Sequence, residues 1–189
     1  MLEEMLIEHG APTLAGIKTG NLFRAAIDSH TDINREVREL NHLLNDKGLR
    51  IIPLKRTDRY VLIYIYRPEY LKKDLKCPEA ACILNQKGYD CDKADQCIKK
   101  LAGHLMKDDT FPHEIGLFLG YPPKDVQGFI DNPCSGVKCV GCWKVYSDEE
   151  KAERIFKKYK KCTEVYRRLN QNGRTLAALA VNTSKYMAG

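Results

Sequence analysis

The sequence predicts an α+β fold, with α/β as the neighbouring option. It reads as a single layered domain over residues 1–189, with a small mixed sheet and several packed helices. Three observations carry this. Helix-period apolar patterns outnumber strand-like runs. The strand-like runs are dispersed through the chain and do not alternate regularly with the helices. Finally, 189 residues, 43% of them hydrophobic, are enough for one core.

Taken in order, residues 1–9 place Leu2, Met5 and Leu6 at helical spacing and predict a short helix. Pro12, Gly16 and Gly20 argue against a longer one. Residues 21–27 read as a strand. In INREVRELNHLLNDKG, the residues Ile33, Val37, Leu40, Leu43 and Leu44 form one apolar stripe; Asp32 or Thr31 caps its start and Gly48 ends it. LRIIPLK and RYVLIYIYR follow, joined by a short Arg-Thr-Asp turn. The second is almost wholly apolar and rich in β-branched and aromatic residues, as a central strand requires. Pro53 assigns the first to an edge or a bulge.

Residues 70–107 read as helices broken at Pro78 and Gly88, and CVGCWKVY as a strand. Ser147 opens the strongest helix pattern. Ser147 and Glu150 have capping-box spacing, and Asp148 and Glu149 suit the positive helix end. Ala152, Ile155, Phe156, Tyr159, Tyr166 and Leu169 make its buried stripe, and Gly173 stops it. TLAALAV reads as a last short strand.

The formal net charge is +6. Much of the excess lies between Asp148 and Arg174, with nine Lys/Arg against five Asp/Glu. A basic helix can meet nucleic acid or anionic lipid, or simply be a solvated face. No apolar run reaches the ~18 residues of a membrane helix, so no membrane association is expected. The acidic opening MLEEMLIEHG lacks the basic flank of a signal peptide. A cytoplasmic location is the expectation. Without a secretion signal, eight cysteines point away from disulfides and leave metal binding, redox chemistry or burial.

Two motifs carry chemistry. In FPHEIGLFLGYPPKDVQGFI, His113 and Glu114 stand at a helix start and have the side chains of a general acid/base pair. A zinc-protease motif would need a second His one turn on, where Leu117 and Phe118 stand. The same stretch has the apolar and Gly spacing of a helix-turn-helix. Its second helix, however, offers Asp125 and Asp131, which phosphates repel. This disfavours nucleic acid without removing it; a protein partner is the other option.

Cys134, Cys139 and Cys142 form C-x4-C-x2-C. With a fourth ligand from Cys162, Cys97 or Cys91, that spacing suits zinc or an iron–sulfur cluster. The alternatives are a redox dithiol at Cys139 and Cys142, or thiols that are only buried. The group Cys77, Cys82, Cys91 and Cys97 has no recognised spacing.

PTLAGIKTGNLF, FPHEIGLFLGYP and CVGCWKVY, in this order, resemble the bacterial family known as domain of unknown function 3793. The resemblance spans nearly the whole chain. It implies one fold and a cytosolic setting, and it implies no reaction. Many members carry a Cys just before the Pro-Thr-Leu-Ala-Gly segment, where this chain has Gly10 and Ala11; that weighs against a metal site needing that thiol. The resemblance also places Thr13, Lys18, Asn21, His113, Glu114, Tyr121, Cys142 and Trp143 in motif segments.

The leading functional expectation is therefore a Cys- and His-containing pocket for metal binding or thiol redox work. Cys134, Cys139 and Cys142 would be the metal ligands, and His113 and Glu114 the catalytic pair. Thr13, Lys18, Asn21, Tyr121 and Trp143 would contact substrate, with Lys18 suited to an anion. The rival is a non-enzymatic binding module for protein or nucleic acid, using the 111–131 helical hairpin and the basic 148–171 helix.

Overall fold

Seven consecutive residues, YVLIYIY, form the strand on which the first half of the fold is built. The computed structural model describes residues 1–27, 32–107 and 111–183; Thr31, one of the two expected helix caps, lies outside them. In chain order the elements are α1 (Leu2–Leu14), β1 (Gly20–Ala26), α2 (Ile33–Leu44), β2 (Arg50–Arg56), β3 (Tyr60–Tyr66), α3 (Pro68–Leu75), α4 (Pro78–Gln86), α5 (Ala94–Lys107), α6 (Ile115–Phe118), α7 (Pro123–Asp131), β4 (Cys139–Val140), β5 (Lys144–Val145), α8 (Glu149–Gln171) and α9 (Leu176–Leu179). They divide into two compact units. Unit 1 is Met1–Glu69 with Lys161–Gly189, and unit 2 is Tyr70–Lys160.

In unit 1 the sheet order is β1-β3-β2, and both pairings are antiparallel. The fold is α+β, and the expected mixed sheet is wholly antiparallel. For β2 and β3 the tight turn makes this necessary, since two strands joined so closely can only run in opposite directions. Thr57 Oγ1 holds that turn by accepting the backbone N–H groups of Arg59 and Tyr60. The central placement of β3 and the edge placement of β2 are as the sequence predicts, and the register of β2 slips between Pro53 and Lys55.

Val61, Ile63 and Ile65 enter a core shared with α1, α2 and α9. Tyr64 and Tyr66 point to the other face, where their rings stack parallel at 4.8 Å; Tyr64 is 1% exposed.

The first helix runs further than expected, to Leu14, with Pro12 inside it. The missing N–H of Pro12 removes one bond in the last turn, and burial of Leu2, Leu6, Ile7, Ala11 and Leu14 outweighs that. In α2, Asp32 caps by accepting from Arg35 N at 3.1 Å. Ile33, Val37, Leu40 and Leu44 are buried as predicted, but Leu43 is 43% exposed. A helix turns about 100° per residue, so Leu44 completes the stripe and Leu43 rotates out of it. The Asn41 side chain grips the outer side of β2: Nδ2 donates to Ile51 O at 2.7 Å and Oδ1 accepts Ile51 N at 2.9 Å.

Arg67, 1% exposed, locks unit 1. Its Nε donates to Thr13 O, Nη1 to Lys47 O and Thr183 Oγ1, and Nη2 to Leu14 O and Val181 O. TLAALAV, expected as a strand, is the short helix α9. Thr175 caps it by accepting from Ala178 N, and Lys47 Nζ donates to Ala177 O and Ala180 O near its end.

Unit 2 begins with helices broken near Pro78 and Gly88, as expected. CVGCWKVY is not one strand. It is a hairpin, β4 and β5, that turns through Gly141–Trp143. Gly141 explains the turn: a Cβ there would come within 2.3 Å of the Phe156 ring, so the backbone passes where no side chain fits. The hairpin buries Trp143 and Val145 with Ala152, against partly buried Tyr121, Ile155, Phe156 and Tyr159.

Asp125, 2% exposed, ties α7 to this hairpin. It accepts Trp143 Nε1–H at 2.7 Å, Tyr146 N at 2.9 Å and Ser147 N at 2.8 Å. The expected Ser147 capping box is absent for the same reason. The backbone of Ser147 is engaged by Asp125, and Asp148 Oδ1 caps α8 by accepting from Lys151 N at 3.0 Å. The α8 stripe keeps its predicted positions, but of its six residues only Ala152 is buried and the other five are half-buried. Ile155, Phe156 and Tyr159 pack in unit 2, and Tyr166 and Leu169 pack on the core of unit 1.

Candidate functional site: the cleft beside His113

The stretch 111–131 folds as a compact helical hairpin whose first arm, α6, is a single turn. Gly120, at φ 74, ends that turn, and Tyr121 N donates back to Gly116 O at 2.9 Å. Pro122 and Pro123 then open α7, where a missing N–H costs nothing. The arms meet at Gly116; a Cβ there would lie 2.8 Å from Val126 Cγ2 and 3.1 Å from Tyr121 Cδ2.

His113 and Glu114, adjacent in sequence, go to different surroundings. The His113 ring meets the Phe129 ring edge-on at 4.7 Å. It lines a cleft of about 330 Å³ whose walls include Ile115, Leu119, Tyr121, Phe129 and Trp143. Tyr121 stacks on Trp143 at 4.9 Å and donates its hydroxyl to Cys142 O at 3.1 Å. Burial, with Cys142 next, pushes the Tyr121 phenol well up, so it stays protonated. Lys144 also lines the cleft. Its ammonium donates to Pro133 O at 2.8 Å and lies 5.4 Å from the Phe129 ring centre.

Glu114 turns inward and is buried. Oε1 accepts the Tyr89 hydroxyl at 2.9 Å and lies 3.2 Å from His104 Nδ1; Oε2 lies 3.7 Å from Lys87 Nζ. Burial acts to raise its pKa. Its own backbone N–H, His104, Tyr89 and Lys87 together outweigh that and hold the carboxyl below its ordinary value. An ionised Glu114 only accepts, so Tyr89 O–H and His104 Nδ1–H are both donors to it. Burial first, then Glu114, raises the Tyr89 phenol strongly. This arrangement fixes the His104 ring by a carboxylate, as orienting partners of general bases do.

The other expected residues fall as follows. Thr13, Lys18 and Asn21 belong to unit 1. Thr13 Oγ1 donates to Asn21 Oδ1 at 2.7 Å, and Lys18 is buried. All eight cysteines are thiols. Cys134 and Cys142 are exposed and Cys139 is half-buried. Among the described residues, no three His, Cys, Asp or Glu side chains gather as a metal-ligand set. The C-x4-C-x2-C spacing is therefore divided between a loop, a strand and a turn. Desolvation, then Glu149 and Glu153, raise the Cys139 thiol, opposite to what a thiolate ligand needs.

Sequence reasoning missed Asp125, His104, Tyr89 and Lys87. Asp125 looks like an ordinary acidic residue of a first helical turn. His104 sits near the C-terminal end of α5, where a His suits the helix dipole. Nothing in the spacing announces either partnership.

The elements and the cleft define an α+β protein with an aromatic-walled pocket in a helix-rich unit. Among the described residues, no helix is long and apolar enough to cross a membrane. The chain belongs to the family described as "Protein of unknown function (DUF3793)", whose profile matches residues 6–180. This is the family that the three motif segments resemble. No curated protein matches the chain, and no solved structure does.

Proposed function

We propose that this protein is a binding module whose His113 cleft takes a small, flat, apolar molecule bearing an anionic group. One observation carries the reading: a cleft of about 330 Å³ is walled by aromatic and aliphatic side chains, with His113 and Lys144 among its few polar residues. Small-molecule sites have this size and this balance of apolar wall and few polar groups, typically 300–1,000 Å³. Trp143 and Tyr121 supply faces for ring stacking. Lys144 has three N–H donors, one of which goes to Pro133 O, and its charge suits a carboxylate or similar anion. The Asp125 carboxylate also borders the cleft, but its oxygens serve three N–H groups.

This reading keeps the 111–131 hairpin as the binding element and replaces a macromolecular occupant with a small one. The metal reading at Cys134, Cys139 and Cys142 has less support, because those side chains form no ligand set.

The single tryptophan of the chain, Trp143, reports on the cleft directly. Titration with a panel of aromatic carboxylates, followed by Trp fluorescence, should give a saturable change. The corresponding amides should bind more weakly, and His113→Ala and Lys144→Ala should each reduce affinity. An unchanged emission across the whole panel would rule the reading out.

A further inference from the structure

Asp125 and Trp143, which border the His113 cleft, also border a second one. It lies within unit 2 and has a volume of about 590 Å³. Its apolar lining comes from Trp143, Pro122, Pro123, Ala152 and Ile155. Four charged side chains border it as well. They are Glu79 in the first turn of α4, Lys124 in the first turn of α7, and Asp148 and Lys151 where α8 begins. All four are exposed.

Their engagements differ. Glu79 Oε2 accepts the Cys77 thiol at 3.0 Å. Cys77, then the Glu79 backbone N–H, and Lys124 last, hold the Glu79 carboxyl below its ordinary value. Glu79 and Lys124 are thus already drawn to each other. Asp148 Oδ1 accepts Lys151 N at 3.0 Å, which leaves Oδ2 over. Among the described residues the Lys151 ammonium makes no hydrogen bond and no ion pair. The third carboxylate, Asp125, is met by three N–H groups and adds no unanswered charge.

This balance of charge selects the ligand. A simple anion would meet two carboxylates, and a simple cation two ammonium groups. A molecule with one charge of each sign can set each against its opposite. Lys151 and Asp148 stand three positions apart at one helix start, a spacing that brings side chains to the same face. An α-amino acid also carries its ammonium and carboxylate close together.

We infer that this second cleft binds a small zwitterion with an apolar side chain, a free amino acid or a dipeptide. Its carboxylate goes to Lys151 and its ammonium to Asp148. Both contacts are charge-assisted, since an ammonium only donates and a carboxylate only accepts. Its side chain lies against Trp143 and Ile155. The Trp143 N–H is spent on Asp125, so the indole offers this side chain apolar surface. The volume is in the ordinary range for a small-molecule site, 300–1,000 Å³. The inference does not rest on the ligand proposed for the His113 cleft.

The test is equilibrium dialysis of the full chain against radiolabelled leucine and leucyl-leucine at neutral pH. At least one should bind saturably. Acetylating its amine or amidating its carboxylate should each weaken binding about tenfold or more, as expected for losing a hydrogen bond between charged groups. Lys151→Ala should weaken it similarly. So should Asp148→Asn, which keeps a side-chain oxygen to cap α8 while removing the charge. His113→Ala should leave it unchanged, whereas that substitution weakens aromatic carboxylates in the other cleft. Failure at one site is therefore told apart from failure at the other. The inference is overturned if neither zwitterion binds, if the blocked forms bind equally well, or if binding survives both Lys151→Ala and Asp148→Asn.

Discussion

Asp125 and Trp143, eighteen positions apart, are joined by a buried 2.7 Å bond from the indole N–H to the carboxylate. The same carboxylate receives the backbone N–H groups of Tyr146 and Ser147. One side chain of α7 therefore seats the aromatic wall of the cleft and sets where α8 begins. Asp125→Ala would strand the buried indole N–H of Trp143 and the part-buried backbone N–H groups of Tyr146 and Ser147. A loss of about 3 kcal/mol is expected, since each unsatisfied buried group costs roughly 1–3 kcal/mol. Urea denaturation would measure it. A red-shifted Trp143 emission in the native state would show that the indole had lost its seat.

Glu114 predicts an acid limb to stability. Its folded pKa is depressed, so its contribution is fully present above the usual value of 4.5 and is lost as pH falls through the lower folded value. Thermal melting temperatures should therefore drop on acidification below 4.5. Glu114→Gln should flatten that drop while lowering stability near neutrality. An acid limb unchanged by the substitution would contradict this assignment.

Arg67 holds five acceptors drawn from the end of α1, the 3₁₀ turn at Lys47 and the C-terminal segment. Arg67→Ala leaves these acceptors without their donor and should cost several kcal/mol, since each unsatisfied buried group costs roughly 1–3 kcal/mol. Arg67→Lys should recover only part of this, because an ammonium lacks the planar fork. Guanidinium unfolding of the three chains in parallel would rank them.

Gly116→Ala should cost about 1–3 kcal/mol, the usual range for overpacking, since its Cβ would meet Val126 Cγ2 at 2.8 Å. Val126→Ala in the same chain should return part of that loss by removing the colliding methyl. A double-mutant cycle reads the coupling directly. Additive effects would mean that the two helices can separate without penalty.

Much of the architecture was legible because it is written locally. The apolar run of β3, the α2 and α8 stripes, the breaks near Pro78 and Gly88 and the edge character of β2 all depend on residues within a few positions. The errors come from longer reach. The hairpin at β4 and β5 depends on Gly141 passing Phe156. The start of α8 depends on Asp125, far up the chain, using the Ser147 backbone. TLAALAV is apolar enough for either state, and the Thr175 cap makes it helical.

The site was legible only in part. The aromatic residues Tyr121 and Trp143 and the imidazole of His113 do border one cleft. The His-Glu pair is a pair in sequence alone, because successive residues at a helix start point in different directions. Glu114 finds its histidine ten positions away, in His104 on another helix. The three cysteines share a spacing but lie on elements that do not converge.

The Asn41 clasp on Ile51 has a consequence beyond unit 1. A strand at the border of a sheet exposes N–H and C=O groups that can template a second chain and begin aggregation. On β2 the outward N–H and C=O of Ile51 are already taken by a side-chain amide, and two residues on, Pro53 has no N–H to give. An incoming strand would find no continuous ladder to join. This border of the sheet is thus protected against self-association by one asparagine and one proline, neither of which the core requires.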